Sequence, residues 1–356
     1  MSAPTHFPPE IIESILRRVP AKSLGRFKSV SKPWCSLISN PKFIKTHLLT
    51  NQNNHKHKTP KLILISDTTK SLYSLDINTE TAKELTFPPH QILWEEILGS
   101  CNGLVLAKDE NDTVFIINPT TRDLSKVPVS PFALPARESF VMYGFGYDSC
   151  TEDYKVISIS FWDTDNEYNP DCTDMLVNVY SLRNDTWKNL DNSPYDHAVG
   201  NLISGVLVNE KLHWLTSTRS GYSSTIAAFS LSNEEFNEIE LPDSIENDRA
   251  VFNELVELGG KLGMFGTILG NEMWVMDEYG VSESWRKIEV VGIDIDPVKP
   301  LCLVDGCDRY IVFGDEDGVV VYNVNERSVR IVGSPNGFSI GGTYVETLES
   351  PQMYLN

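Results

Sequence analysis

The sequence lacks the patterns that mark most membrane and secreted proteins. No run of residues approaches the roughly 18 consecutive apolar positions that a membrane-spanning helix needs. The first residues are too polar and too rich in proline for a signal peptide. The six cysteines form no Cys-x-x-Cys pair and no framework spacing, which is typical of thiols in a reducing compartment. We therefore predict a protein of the cytoplasm, the nucleus or both, without a membrane span.

Catalytic and metal-binding motifs are equally scarce. There is no His-Glu-x-x-His, no phosphate-binding loop and no dinucleotide fingerprint. A Gly-x-Ser-x-Gly pattern occurs over residues 337–341, but no histidine follows His213, so this serine lacks the base that hydrolases place after it. The acidic run at 163–167 has Tyr168 where a calcium loop needs glycine, and the histidines of 55–57 lack a third ligand. We predict no enzymatic activity, no catalytic residue, no cofactor and no metal.

The charge of the chain is divided unevenly between its start and the remainder. The 356 residues are 41% hydrophobic and have a net charge of −19, which fits one large or two medium packed domains. Residues 1–60 hold ten basic and two acidic residues, whereas the rest hold 20 basic and 47 acidic residues. Because so acidic a body repels phosphate, we predict no nucleic-acid partner. The basic segment at residues 1–60 is instead suited to binding an acidic protein.

The segment from Phe7 to Phe43 predicts short helices with more apolar surface than they can bury among themselves. Pro8 and Pro9 suit the first turn of a helix, and Ser31 suits the cap of a later one. The apolar positions at helical spacing are, for the first helix, Ile11, Ile12, Ile15, Leu16 and Val19; for the second, Leu24, Phe27 and Val30; and for the third, Trp34, Leu37 and Ile38. A helical unit this short is marginal alone, so we expect a partner to cover the remaining apolar surface.

This segment resembles an F-box of the plant type. The matching pieces are Phe7-Pro8, Ile15-Leu16, Arg18-Val19-Pro20, Lys22-Ser23-Leu24, Arg26-Phe27-Lys28, Val30-Ser31-Lys32 and Trp34. Phe7, Val19 and Ser31 depart from the pattern, which has leucine, leucine and cysteine there. The resemblance implies binding to a Skp-type adaptor through Phe7, Pro8, Ile11, Ile15, Leu16, Val19, Leu24, Val30 and Trp34. Of these, Leu16, Leu24 and Trp34 are the expected anchors, since large apolar residues dominate interfaces.

The remainder of the chain predicts a repeated β unit after a polar linker at residues 50–60. The unit is an apolar-aromatic strand, a polar turn and a second strand, and its copies begin at Leu72, Val114, Val177, Ile226, Met273 and Val319. The aromatic markers Tyr73, Phe115, Tyr180, Phe229, Trp274 and Tyr322 are separated by 42, 65, 49, 45 and 48 residues. Spacing of about 40 to 50 residues is typical of propeller blades.

Further features of the body fit a propeller. Turns precede apolar strands at 101–107, 209–215, 259–266 and 305–314. We expect Trp187, Trp214 and Trp285 to pack between blades, and the acidic insertion at 161–174 to lie on one face of the ring. The segments SCNGLVL, GYDSCTEDYKVI and VYSLRNDTWKNL resemble the plant F-box-associated interaction domain, which is kelch-like.

The predicted fold class is therefore α+β: a short N-terminal helical F-box at 1–49, a linker at 50–60, and an all-β, kelch-like propeller at 61–356. The resemblance implies the substrate-recognition subunit of a Skp–cullin–F-box ubiquitin ligase. Its expected partners are the Skp-type adaptor, through it the cullin and RING subunits, and a protein target. The sequence is similar to the constitutive expresser of pathogenesis-related genes type and, more loosely, to the S-locus type.

These two types imply different targets, immune receptors or pollen-rejection ribonucleases, and the sequence identifies no target-binding residue. Two other functions stay open. One is a scaffold that holds partners without ubiquitination and has a degenerate F-box. The other is a lectin-like binding module.

Overall fold

The computed structural model describes residues 7–54, 60–88, 91–135, 139–162, 175–197, 204–218, 224–242, 254–266, 272–290, 299–304, 310–314, 319–332 and 337–355. Three features singled out in the sequence lie outside these residues: the histidines at 55–57, the acidic run at 163–167, and all but the first two positions of the insertion at 161–174.

Four helices form the first part of the chain: α1 (Pro9–Leu16), α2 (Ala21–Phe27), α3 (Lys32–Ile38) and α4 (Pro41–Asn54). The proline pair opens α1 as predicted, with Pro8 at the N-cap position. Ser31 caps α3, where its hydroxyl accepts a hydrogen bond from the Trp34 amide at 3.3 Å. These two helix starts were readable from the sequence because their signals are local.

Two helix boundaries differ from the prediction. The first helix ends at Leu16, before Val19, because the chain tightens there into a turn in which the Val19 amide donates to the Leu16 carbonyl at 3.1 Å. Likewise α2 ends at Phe27, and Val30 lies in the following turn, with its amide donating to the Phe27 carbonyl at 3.0 Å. Val30 is thus presented by a turn and not by a helix.

The fourth helix corrects the predicted linker at 50–60, because it continues to Asn54. Its first turns are anchored by the buried side chains of Phe43, Ile44, His47 and Leu48. Once those turns are fixed by packing, each further residue adds a backbone hydrogen bond at little cost, so a polar segment can extend an existing helix. Polarity alone was therefore a poor guide to the end of this element.

The remaining described residues form 25 strands: β1 (Lys61–Ser66), β2 (Leu72–Asp76), β3 (Thr81–Leu85), β4 (Trp94–Cys101), β5 (Leu104–Asp109), β6 (Val114–Ile117), β7 (Leu124–Lys126), β8 (Ser139–Asp148), β9 (Asp153–Trp162), β10 (Leu176–Ser181), β11 (Thr186–Asn189), β12 (Tyr195–Asp196), β13 (Val206–Val208), β14 (Lys211–Thr218), β15 (Ser224–Ser230), β16 (Phe236–Ile239), β17 (Glu254–Leu258), β18 (Lys261–Gly266), β19 (Glu272–Met276), β20 (Trp285–Glu289), β21 (Lys299–Val304), β22 (Tyr310–Gly314), β23 (Val319–Asn323), β24 (Ser328–Val332) and β25 (Phe338–Tyr344). Short 3₁₀ helices occur at Ser282–Ser284 and Pro351–Met353.

These strands make six antiparallel sheets, the blades of a β-propeller. Blade 1 has the order β25-β1-β2-β3, so the last strand of the ring supplies the innermost strand of the first blade. Blades 2 and 3 are β4 to β7 and β8 to β11, and blades 5 and 6 are β17 to β20 and β21 to β24. Blade 4 contains β12 to β16, with both β12 and β13 pairing with β14. All six predicted repeat copies coincide with the hairpin of the two outer strands of a blade, which confirms the propeller.

Tryptophans tie neighbouring blades together, as the sequence predicted. The indole N–H of Trp187 in blade 3 donates to the Pro128 carbonyl at the end of blade 2, at 2.7 Å. The indole N–H of Trp285 in blade 5 donates to the Glu240 carbonyl at the end of blade 4, at 3.1 Å. Trp214 is fully buried in the cluster that joins blades 3, 4 and 5. Trp187 and Trp285 therefore contribute apolar area and also satisfy a backbone carbonyl of the preceding blade.

Candidate functional site

The helical head, defined as α1 to α4, has its own small core. Its fully buried side chains are Leu16, Ala21, Leu24, Ile38, Phe43 and Ile44. The rings of Phe27 and Trp34 meet edge to face, with centroids 5.6 Å apart, at the margin of this core. The Val19 carbonyl lies 2.8 Å from a ring nitrogen of His47, which joins the turn after α1 to α4. These contacts hold the short helices in a fixed arrangement.

Large apolar side chains project from the head into solvent. Phe7, Ile11, Ile15 and Val30 are 68%, 47%, 56% and 61% exposed. Ile11 and Ile15 are four residues apart on α1, so they share one face of that helix. We call these four residues, with the exposed Pro8, the apolar head surface. Exposed clusters of large apolar residues are characteristic of protein interaction sites.

The structure separates the nine predicted adaptor contacts into groups. Phe7, Pro8, Ile11, Ile15 and Val30 are exposed, and Val19 and Trp34 are partly buried. Leu16 and Leu24, by contrast, are 1% and 0% exposed within the chain itself. Leu16 and Leu24 therefore belong to the core of the head itself.

The segment 345–355, here called the tail, joins the head to the propeller. Leu348 is buried in the head core, and Met353 packs against the same cluster. On the propeller side, the Asn118 side-chain amide donates to the carbonyls of Thr347, at 3.2 Å, and Glu349. The Tyr354 hydroxyl donates to the Glu349 carboxylate at 2.9 Å. This role could not be predicted from the sequence, because the tail has neither helical nor strand periodicity.

Glycine at position 103 allows the tail to pass close to blade 2. Gly103 lies in the turn between β4 and β5 with a φ of +82°. A Cβ atom there would come within 2.3 Å of a Thr347 methyl group and 2.4 Å of the Val345 carbonyl oxygen. A side chain at this turn would therefore push the tail away as well as strain the backbone.

The head meets the propeller face that carries the turns between the first and second strands of blades 2 to 5. Lys45 of α4 forms an ion pair with Glu152 in the turn between β8 and β9. The hydrogen bond from Lys45 raises the pKa of the lysine and lowers that of Glu152. Because strands alternate in direction, the connections from the second to the third strand leave each blade at the opposite face. The head is on one side of the ring only.

A cavity of about 670 Å³ lies between the innermost strands and ends against α4 of the head. All six blades contribute to its wall, and Lys45, Leu48 and Leu49 border it from α4. Glu257 faces this cavity, and its carboxylate accepts a hydrogen bond from the Gly260 amide. Burial raises the pKa of Glu257. The sequence did not reveal this cavity, because its lining comes from all parts of the chain.

The buried titratable groups near the cavity and in blade 4 are held in their neutral forms. Burial raises the pKa of the Cys101 thiol to about 12 and raises that of Cys302 further. Burial lowers the pKa of His213 to about 4, and its ring nitrogens lie 3.0 Å from the Val206 carbonyl and 2.7 Å from the Tyr279 hydroxyl. Because protonated thiols are poor nucleophiles, these two cysteines are unreactive. His213 has a structural role, since its two contacts join blades 4 and 5.

Ser339, the centre of the Gly-x-Ser-x-Gly pattern, lies on β25 and pairs with Ile65 of β1. Its hydroxyl donates to the Ile65 carbonyl at 3.4 Å.

Within the described ranges, no group of three or more His, Cys, Asp and Glu side chains is arranged to hold a metal ion. No helix in the described part of the chain is long and apolar enough to cross a membrane.

Comparison with known families agrees with the two-part architecture. The F-box domain matches residues 5–46, and the F-box associated beta propeller domain matches residues 46–299. The chain belongs to the F-box proteins. In this F-box protein the F-box match falls on the helical head, and the propeller match falls mainly on the six-bladed body.

Known relatives of this F-box protein come from Arabidopsis thaliana. It is 30% identical to F-box protein CPR1, over 80% of this chain and 72% of that protein. It is also 30% identical to F-box/kelch-repeat protein At3g23880, over 99% of this chain and 97% of that protein. F-box protein At4g22390 is 25% identical over 92% of this chain and 85% of its own length. The resemblance noted in the sequence is thereby confirmed.

Proposed function

We propose that this F-box protein is a substrate receptor of a Skp–cullin–F-box ubiquitin ligase. The observation that supports this best is the apolar head surface, which is exposed while the rest of the head core is closed. Large apolar residues at the centre of an interface contribute most of its binding energy. We propose that Phe7, Pro8, Ile11, Ile15 and Val30 contact the Skp-type adaptor, with Val19 and Trp34 at the margin.

We propose that the two parts of the chain bind different partners. Residues 1–49 bind the adaptor and, through it, the cullin and RING subunits, whereas residues 61–356 hold the target. The chain itself is proposed to be non-catalytic: it raises the effective concentration of target lysines near a conjugating enzyme. The head occupies one propeller face, which supports target capture on another surface of the ring.

The biological setting is a further part of the proposal. Ubiquitination in the cytoplasm or nucleus agrees with buried free thiols at Cys101 and Cys302. The resemblance to the constitutive expresser of pathogenesis-related genes type supports a role in plant defence, with a protein of that pathway as target. We also propose that the body acts in the manner of kelch-type binding propellers.

Co-precipitation with a plant Skp-type adaptor and cullin tests the function. We expect the wild-type chain to retain both, and the variant Ile11→Ala/Ile15→Ala/Val30→Ala to lose adaptor affinity by about thirtyfold or more, as for central interface residues. The matched control is Val329→Ala/Ile331→Ala, which truncates exposed β-branched residues on β24 of the propeller. Adaptor binding that survives the head substitutions contradicts the assigned surface. A wild-type chain that retains its other partners but neither adaptor nor cullin would favour the scaffold function.

A further inference from the structure

A basic cleft lies where the head, the tail and two propeller blades meet. Its volume is about 710 Å³. The head borders it with α2, blade 1 with β3, and blade 2 with the turn between β6 and β7. The tail closes it from the remaining side with Leu348, Ser350, Gln352 and Met353. We call this space the junction cleft.

The rim of the junction cleft is positively charged. Lys22, Arg26 and Lys28 contribute cations from the head, and Lys83 contributes one from β3. Among the described residues, none of these four side chains forms an ion pair. The one carboxylate in the lining, Asp123, already accepts a hydrogen bond from the Thr121 hydroxyl at 2.9 Å. Four cations against one acid stand out on a chain whose net charge is −19.

The floor of the junction cleft is apolar. Its partly exposed residue is Met353 of the tail, which packs over the head core that Ala21, Ile44 and Leu348 help to form. Single-stranded nucleic acid would be expected to stack its bases on aromatic side chains, and the described lining contains none. An apolar floor with a basic rim instead matches a polypeptide that carries both carboxylates and apolar side chains. In an extended strand, alternate residues point to opposite sides, so one segment can serve floor and rim together.

We propose that the junction cleft binds an extended acidic segment of a partner protein, in which carboxylate and apolar side chains alternate. The site is distinct from the apolar head surface, because it uses α2, β3 and the tail in place of α1. Its occupant contacts head and propeller at once. Binding is therefore expected to depend on Lys83, a residue of the propeller that the adaptor surface does not include.

A direct binding measurement tests the proposal with the full chain. The probe is a short fluorescein-labelled peptide in which glutamate and leucine alternate, followed by fluorescence anisotropy, with a glutamine-leucine peptide for comparison. We expect the glutamate peptide to bind and the glutamine peptide to bind about tenfold more weakly or not at all. The affinity for the glutamate peptide should fall as salt is raised, since exposed charges are screened over about 8 Å at physiological ionic strength.

Two variants locate the site on opposite walls. Lys83→Glu should weaken binding about tenfold, because it removes an attraction and adds a repulsion. Its matched control is Lys126→Glu, since Lys126 is an exposed lysine on the outer strand of the next blade and lies outside the described lining. Gly25→Phe should also weaken binding without a change of charge. A Cβ at Gly25 has no atom within 4 Å, so a side chain can start from this position and extend into the cleft that Gly25 lines.

The outcomes separate this proposal from the proposed function. Equal binding by the wild type and Lys83→Glu, equal loss in Lys126→Glu, or no binding of the glutamate peptide would each overturn the junction-cleft proposal. Adaptor co-precipitation is measured on the same proteins. If the adaptor is retained and the peptide fails to bind, only the junction-cleft proposal is contradicted. If the peptide binds and the adaptor is not retained, only the proposed ligase function is contradicted.

Discussion

The ammonium group of Lys155 lies 3.0 Å from a carboxylate oxygen of Asp148, and both side chains are almost completely buried, at 8% and 0% exposed. The same ammonium group donates to the Glu234 carboxylate at 2.9 Å and to the Leu231 carbonyl at 2.7 Å, both in blade 4. Burial alone would raise the pKa of Asp148, but hydrogen bonds from Thr151 and Lys155 lower it overall. One lysine of blade 3 thus pairs with an acid of its own blade and with an acid of blade 4.

Substitution of this lysine should destabilise the propeller strongly. Lys155→Met keeps most of the side-chain volume but leaves the Asp148 charge buried without its partner, which typically costs about 3–5 kcal/mol. Equilibrium unfolding in urea measures the change. Lys126→Met, on an exposed strand, is the control and should stay within about 0.5 kcal/mol of wild type. A loss below about 1 kcal/mol for Lys155→Met would show that this lysine adds little to the stability of blade 3 or to its contact with blade 4.

Acid should destabilise the protein through His213 as the pH falls from about 6.5 to about 4. An unfolded histidine binds a proton near pH 6.5, whereas burial lowers the pKa of His213 to about 4 in the folded state. Between these values the unfolded state holds the extra proton, so the free energy of unfolding falls as the pH is lowered. The loss is on the order of 3 kcal/mol over that interval.

Urea unfolding at several pH values tests this effect in the wild type and in His213→Gln, which removes the titrating group. The variant should be less stable near neutral pH, but its stability should change less between about pH 6.5 and pH 4. The difference between the two slopes is the readout, since the remaining side chains are the same in both proteins. Parallel curves would mean that His213 takes up its proton in the folded protein as easily as in the unfolded one.

The tail should determine whether the head stays docked on the propeller. Leu348→Ala removes a buried side chain from the head core, and such truncations typically cost about 2–5 kcal/mol. Hydrogen exchange should show that the amides of α1 to α3 lose protection by this amount while those of β8 and β9 do not. Gln352→Ala, an exposed tail substitution, serves as the control. An even loss of protection over head and propeller would indicate that the two parts unfold as one unit.

Alanine substitution of two adjacent residues on α1 should affect different properties, stability in one case and adaptor binding in the other. Leu16→Ala opens a cavity in the head core and should lower the stability of the head by about 2–5 kcal/mol. Ile15→Ala changes an exposed residue and should leave stability within about 0.5 kcal/mol, while it weakens adaptor binding. Hydrogen exchange of the head and adaptor affinity, measured on both proteins, provide the comparison. If Ile15→Ala binds the adaptor as wild type does, α1 does not present the binding face.

Local patterns explain most of what the sequence could predict. Each outer hairpin of the propeller is a continuous segment whose strands and turn are adjacent in the chain, so all six were visible as repeats. Trp187 and Trp285 open the outermost strands of their blades, and their positions in the repeat pointed to packing between blades. The F-box pattern likewise lies within one short segment.

The remaining features depend on contacts between distant residues. Leu16 and Ile15 are both apolar and adjacent, and only the packing of α2, α4 and the tail decides which of them is buried. The role of Leu348 requires a head more than 300 positions earlier in the chain. The junction cleft combines Lys22 with Lys83 and Met353, and no periodic pattern relates these residues. Such sites follow from the tertiary structure and not from local sequence.

The pairing of β25 with β1 has a consequence for how the protein is made. Lys61 and Tyr344 are partners in this pairing, so the inner edge of β1 stays open until nearly the whole body has been synthesised. Non-local pairings of this kind slow folding, and an unpaired strand edge invites contact with other chains. The same delay applies to the head, since Leu348 emerges later still. A ribosome-bound chain of this protein is therefore expected to depend on chaperones until β25 and Leu348 have emerged.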